Sequence, residues 1–302
     1  MSRLTAALGG ISGILVTPFD ADDRIAPGRL APIVDRAVKA GVHILVANGN
    51  TGEFYSLSTD EAVAMVEAAS EQVAGRAPLL CGIGRAIPDA VRLARAARAA
   101  GADGLMIHQP PDPFAAPRGV VDYVRRVAEA GDGLPLVLYL RNDAMGTAAI
   151  ADLCAVEGVV AVKWATPNPM RMAEAAAAAD PGVVWVAGLA ETWAPVLYAA
   201  GARGFTSGLI NVWPERSMAI HAALAAGDYP RANALIATMR AFEDIRAEEL
   251  NGTNVTGVKA ALALQGLDCG PARPPSAWPL TDAQARRLAG FMEANGLLRV
   301  AA

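Results

Sequence analysis

The chain has 302 residues, of which 53% are hydrophobic and 19% charged, and its formal net charge is −4. This balance excludes a disordered chain and offers no basic field for nucleic acid or for an anionic membrane. The length allows one large α/β barrel or two ordinary domains.

From the N-terminus, short β-type runs recur, each followed by a longer alanine-rich amphipathic stretch. The runs are residues 13–17, 42–47, 79–83, 104–107, 136–140, 159–163, 183–187 and 204–207. Most are apolar without alternation, as parallel strands buried on both faces require. Helices are predicted between them, among others over 27–40, 60–73, 89–100, 119–130 and 168–179. Ser58 and Glu61 have the spacing of a capping box at the start of the second. Gly41, Gly101 and Gly201 stand where a helix ends and a strand approaches, the place of a left-handed C′ residue.

After Ser207 the chain reads as helical, over 214–226, 230–250, 253–265 and 281–295, with a Pro/Gly-rich connection at 266–279. Eight β/α units predict an α/β fold, a TIM (β/α)8 barrel over residues 1–213. Residues 214–302 are then the last barrel helix and a helical extension. A doubly wound sheet shares the local pattern.

In such barrels the chemistry sits where strands end. Only three lysines stand against 23 arginines. Lys39 and Lys259 lie in helix-like stretches, whereas Lys163 ends a buried strand. Desolvation there favours the neutral, nucleophilic amine that imine formation on a carbonyl needs. The plainer reading is a packed stem with its charge reaching water.

Other strand ends carry polar groups. The second run leads into Asn48-Gly49-Asn50-Thr51-Gly52-Glu53, a tight turn whose amides suit an anion. The fifth ends in Tyr139, Leu140 and Arg141: a proton shuttle and a carboxylate grip, or a core aromatic beside a surface cation. The seventh leads to Gly188 and Glu191. The eighth ends in Thr206 and Ser207, which would bind substrate or cap the next helix. Cys81, Cys154 and Cys269 and the three histidines show no metal-ligand spacing. Neither a metal nor a cofactor is expected. His108 reads as a structural histidine, and Glu243, Asp244, Glu248 and Glu249 as a solvated helix face. No charged leader before an apolar run and no long uncharged apolar stretch are seen, so a cytoplasmic protein without a membrane partner is expected.

Gly49-Asn50-Thr51-Gly52-Glu53, Tyr139 and Lys163 in this order, with Leu15-Val16-Thr17-Pro18-Phe19, resemble the dihydrodipicolinate synthase / N-acetylneuraminate lyase superfamily. Within it, Gly52–Leu57, Arg141-Asn142, Phe205-Thr206-Ser207, Ile245-Arg246, Val258-Lys259-Ala260 and Gly270–Arg273 are most similar to the 5-dehydro-4-deoxyglucarate dehydratases. The resemblance implies a Schiff-base lyase acting on a 2-keto acid or sugar acid, usually a homodimer or homotetramer. It implies Lys163, Tyr139 and Thr51 as catalytic residues, with Thr51 the partner of Tyr139. Gly49 and Asn50, with Thr51, would hold the near carboxylate. Arg141, Gly188, Glu191, Thr206 and Ser207 would bind the rest of the substrate. Strand four leads into His108-Gln109-Pro110, without the tyrosine of the synthases. The alternatives are a dihydrodipicolinate synthase or pyruvate-dependent aldolase and, in another class, a non-catalytic barrel that binds a small ligand. A dinucleotide site at Gly82-Ile83-Gly84 lacks the third glycine of its fingerprint.

Overall fold

The fold, a computed structural model, is described for residues 2–298. Residues 299–302 of the expected extension lie outside the described residues. Eight parallel strands, β1 (Ile11–Ile14), β2 (Ile44–Ala47), β3 (Leu79–Ile83), β4 (Gly104–His108), β5 (Leu136–Leu140), β6 (Val159–Trp164), β7 (Val184–Ala187) and β8 (Gly204–Ser207), form a barrel in chain order. It closes through Ile11↔Phe205 and Ser12↔Thr206. Closure decides between the two arrangements that the local pattern permits.

Each strand has an inward and an outward face, because successive side chains alternate. Ile44, Val46, Leu80, Met106, Val137 and Ala161 fill the barrel. The outward set, with Leu45, Cys81, Leu105, Leu138, Val162 and Phe205, packs under the helices. A short helix not predicted from the sequence, α1 (Arg3–Ala7), is capped by Ser2. Its Leu4, with Leu8 just beyond it, joins the inner cluster and plugs the N-terminal end of the barrel. Gly104 makes room for this plug, since a Cβ there would collide with Leu4.

The outer ring comprises α2 (Ala31–Lys39), α3 (Thr59–Val73), α4 (Ile87–Ala99), α5 (Pro117–Gly131), α6 (Thr147–Cys154), α7 (Pro169–Ala178), α8 (Ala190–Ala199) and α9 (Pro214–Ala225). Ser58 and Glu61 form the expected capping box on α3. Gly41, Gly101 and Gly201 have φ of 84°, 80° and 115°, the left-handed conformation expected at the helix ends.

Three further helices follow: α10 (Tyr229–Asn251), α11 (Asn254–Leu264) and α12 (Asp282–Ala294). Of these, α10 packs on α8 and α9, and α11 and α12 pack on α10, with Phe242 stacked on Phe291. Near its end α10 breaks. Glu249, Leu250 and Asn251 adopt φ of 51°, 59° and 67° in succession. The break turns the chain back, and the start of α11 reaches the C-terminal mouth of the barrel. No described helix is long and apolar enough to cross a membrane.

Candidate active site

Strands β4, β5 and β6 bring three polar side chains to one level. His108, Tyr139 and Lys163 are register partners across them, and the strand period points all three inward. Lys163 is only 4% exposed. Its Nζ lies 3.8 Å from the centre of the Tyr139 ring. Burial, and next the Arg141 charge, bring the amine down to about 7.

Tyr139 is buried, and burial pushes its phenol up to about 12. At rest it holds its proton. The hydroxyl accepts a hydrogen bond from Asn50 Nδ2 at 2.9 Å, which favours the phenolate once the proton has moved. The expected partner, Thr51, is engaged elsewhere: its Oγ1 lies 3.5 Å from Asn254 Oδ1. Among the described residues no Thr51–Tyr139 bond is present, and the hydroxyl's partner is Asn50.

His108 is buried, and its Nε2 lies 2.9 Å from the Asn48 carbonyl. A carbonyl only accepts, so Nε2 carries the proton. Burial lowers this imidazole to about 3. A neutral ring stacked on Phe54 at 4.4 Å is a structural support, as expected.

A cleft of about 930 Å³ opens at the strand ends and is lined by Asn50, Thr51, Tyr139, Arg141, Lys163, Gly188 and Thr206. Gly49 does not line it. This glycine packs on β1, where a Cβ would collide with Ile14. Two other expected ligands also face elsewhere. Thr206 points into the barrel, so its neighbour Ser207 points out. Ser207 Oγ donates to Glu191 Oε1 at 2.5 Å, and Ser217 Oγ donates to the same oxygen at 2.6 Å. All three side chains are fully buried behind β8. Burial, and next the Glu243 charge, push the Glu191 carboxyl up to about 7.

The C-terminal helices supply what the sequence reading missed. Arg246, Glu243 and Asn254 line the same cleft. Arg246 pairs with Glu243 and donates to Asn254 O and Oδ1 at 3.2 and 3.1 Å. The Glu243 side chain is 11% exposed, which corrects the solvated-face reading. Glu248 is also engaged, by Gln284 and Arg287, while Asp244 and Glu249 are exposed as expected. A signal was present: Met239, Phe242 and Arg246 share one helical stripe, and the first two are core residues. Lys259 lies in a helix, α11, as expected, and is buried against Glu53 at 2.5 Å. Among the described residues no cluster of His, Cys, Asp and Glu is arranged to hold a metal ion.

The amine predicts a pH profile. Any imine formation on Lys163 with excess keto acid, read by cyanoborohydride trapping, would require the neutral amine. It would therefore fall about tenfold per pH unit below about 7 and level off above. A rate flat down to roughly pH 5 would show that this amine is not the titrating group.

Comparison with known proteins extends the geometry. The Dihydrodipicolinate synthetase family matches residues 7–294. A probable 5-dehydro-4-deoxyglucarate dehydratase of Streptomyces avermitilis is 34% identical over 290 residues, 92% of each chain. One from Streptomyces coelicolor is 35% identical over 283 residues, 91% of this chain and 89% of that one. Dihydrodipicolinate synthase from Bacillus clausii superposes with a TM-score of 0.93 at 35% identity, covering 97% of this chain and 100% of that one. A barrel of this closure, matched along nearly its whole length, belongs to the dihydrodipicolinate synthetase family and is a lyase.

Proposed function

We propose that this lyase forms a Schiff base through Lys163 and dehydrates and decarboxylates a keto sugar diacid, 5-dehydro-4-deoxyglucarate or a close analogue. The observation that carries the reading is a buried lysine whose amine is brought down to about 7, beside a protonated tyrosine, in a cleft lined with further cations and hydroxyls. The choice of substrate rests on the relatives named as probable dehydratases.

The neutral Lys163 amine attacks the keto carbon. Tyr139 gives its proton to the departing hydroxyl, and water leaves to form the iminium. A proton is then lost from the adjacent methylene, and the hydroxyl on the following carbon leaves as a second water. The conjugated iminium accepts the electron pair of the bond to the far carboxylate, which departs as carbon dioxide. Reprotonation and hydrolysis release the oxo-glutarate semialdehyde and the free amine. Asn50 and Thr51 hold the near carboxylate, and Asn50 also stabilises the transient phenolate.

The test is borohydride trapping with peptide mass spectrometry, comparing pyruvate with 5-dehydro-4-deoxyglucarate. The expected result is a diacid-derived adduct on Lys163 accompanied by carbon dioxide release. An adduct with pyruvate alone would replace this reading by a synthase or aldolase, which the likeness to solved synthases also supports.

A further inference from the structure

Arg246 is the least exposed of the cations brought to the cleft from outside the barrel. Of the three arginines that line it, Arg141 and Arg240 are exposed and Arg246 is buried. Its guanidinium is held on three sides, by Glu243 and by both acceptors of Asn254. The chain goes to some length to arrange this. Three successive non-glycine residues, 249–251, adopt left-handed backbone, a conformation that persists only where the surroundings enforce it. The turn they make returns Asn254 onto Arg246. Gly208, at the end of β8, leaves space for the guanidinium, since a Cβ there would collide with Nη2. Asn254 also reaches Thr51 in the loop at the other side of the cleft.

A guanidinium has five N–H groups, and the bonds above use one on Nε and one on each Nη. One N–H on each Nη remains, enough for a two-point contact with a carboxylate. Glu243 adds an acceptor beside this donor pair. A donor pair next to an acceptor complements a carboxylate whose neighbouring carbon bears a hydroxyl. Pyruvate has no such group beyond its keto carbon, whereas the far end of a hydroxylated diacid does. The cleft is also far larger than a three-carbon acid fills.

We propose that Arg246 and Glu243 together read the far α-hydroxy carboxylate of the substrate and so set the preference for a hydroxy diacid over pyruvate. This rests on the Schiff-base reading above and adds to it the residues that select the substrate.

The experiment measures KM and kcat for 5-dehydro-4-deoxyglucarate, and the pyruvate concentration that half-saturates trapping on Lys163, in Arg246→Gln, Arg246→Lys and Glu243→Gln. Arg246→Gln should raise KM for the diacid roughly 100-fold while moving pyruvate half-saturation less than about threefold. Arg246→Lys keeps the charge but loses the fork, and should fall between. Glu243→Gln should raise KM about tenfold, and less for an analogue lacking the far hydroxyl. Should Arg246→Gln not fold, the other two variants carry the test. Equal losses with pyruvate and diacid, or an unchanged KM for the diacid in a wild-type background that traps it, would overturn this assignment alone. A wild-type enzyme that forms no adduct with the diacid overturns the proposed function and this assignment with it.

Discussion

Lys163→Ala leaves no trappable imine and lowers turnover by roughly 10⁴-fold or more, as removal of a covalent nucleophile does. Lys163→Arg should be equally inactive, because a guanidinium stays charged at any workable pH. The same site predicts a gain in stability. The amine's ordinary value is 10.5 and burial lowers it to about 7 in the folded chain. Between these values the unfolded chain binds more protons, so the cost of burying this group is relieved as pH rises. The cost is fully present below about 7 and gone above 10.5. Lys163→Met keeps the volume and removes the charge. It should therefore raise stability by a few kcal/mol below about pH 7 and by nothing at high pH. Denaturant unfolding at several pH values checks this. A variant that retains adduct formation would falsify the assignment of Lys163 as nucleophile.

Lys259→Met should destabilise the fold by about 3–5 kcal/mol and disturb catalysis without touching substrate. Lys259 Nζ pairs with Glu53 Oε1 at 2.5 Å and donates to the Pro271 carbonyl at 2.8 Å, and both charged side chains are buried. The ammonium sits 4.2 Å from the Phe19 ring centre. The other Glu53 oxygen accepts from Arg273 N at 2.8 Å. Burial raises the Glu53 carboxyl and lowers the Lys259 amine, so each charge depends on its partner. Removing the lysine leaves a carboxylate buried without its countercharge. Glu53 closes the loop that holds Asn50 and Thr51 and has a left-handed φ of 57°, so a loosened Glu53 misplaces both. The double variant Glu53→Gln with Lys259→Met should recover much of the lost stability but not all of the activity. Thermal and denaturant unfolding, with kcat for each variant, provide the check. A loss in the single variant below about 1 kcal/mol would show that the pair is not what anchors the loop.

How far the site could be read in advance depended on what fixed each residue's environment. Lys163 and Tyr139 were legible because they end apolar strands, and a strand buried on both faces is visible in a short window. Ser207 was misassigned beside Thr206 although the two-residue period already forbids both from facing the cleft. The alternation carried the answer, and the adjacency of two hydroxyls obscured it. Glu191 follows Ser207, since its Oε1 accepts from that hydroxyl behind β8. Arg246 and Glu243 had a partial signal, since both lie at helical spacing from the core residue Met239, but the partners they meet are set by where α10 docks.

Local sequence suffices for the eight parallel strands, the glycine-ended helices, the capping box at Ser58 and the strand-end position of Lys163. Each follows from local burial, backbone conformation or a spacing of a few residues. The expected barrel does close, but only the folded chain shows that Asn50 and not Thr51 bonds Tyr139, and that the C-terminal helices bring Arg246, Glu243 and Asn254 to the cleft. It also pairs Lys259, on α11, with Glu53 in the loop after β2. Periodicity reports whether a position is buried, but a buried charge is defined by its partner. Those partners lie far away in the chain and meet only when the helices close over the barrel.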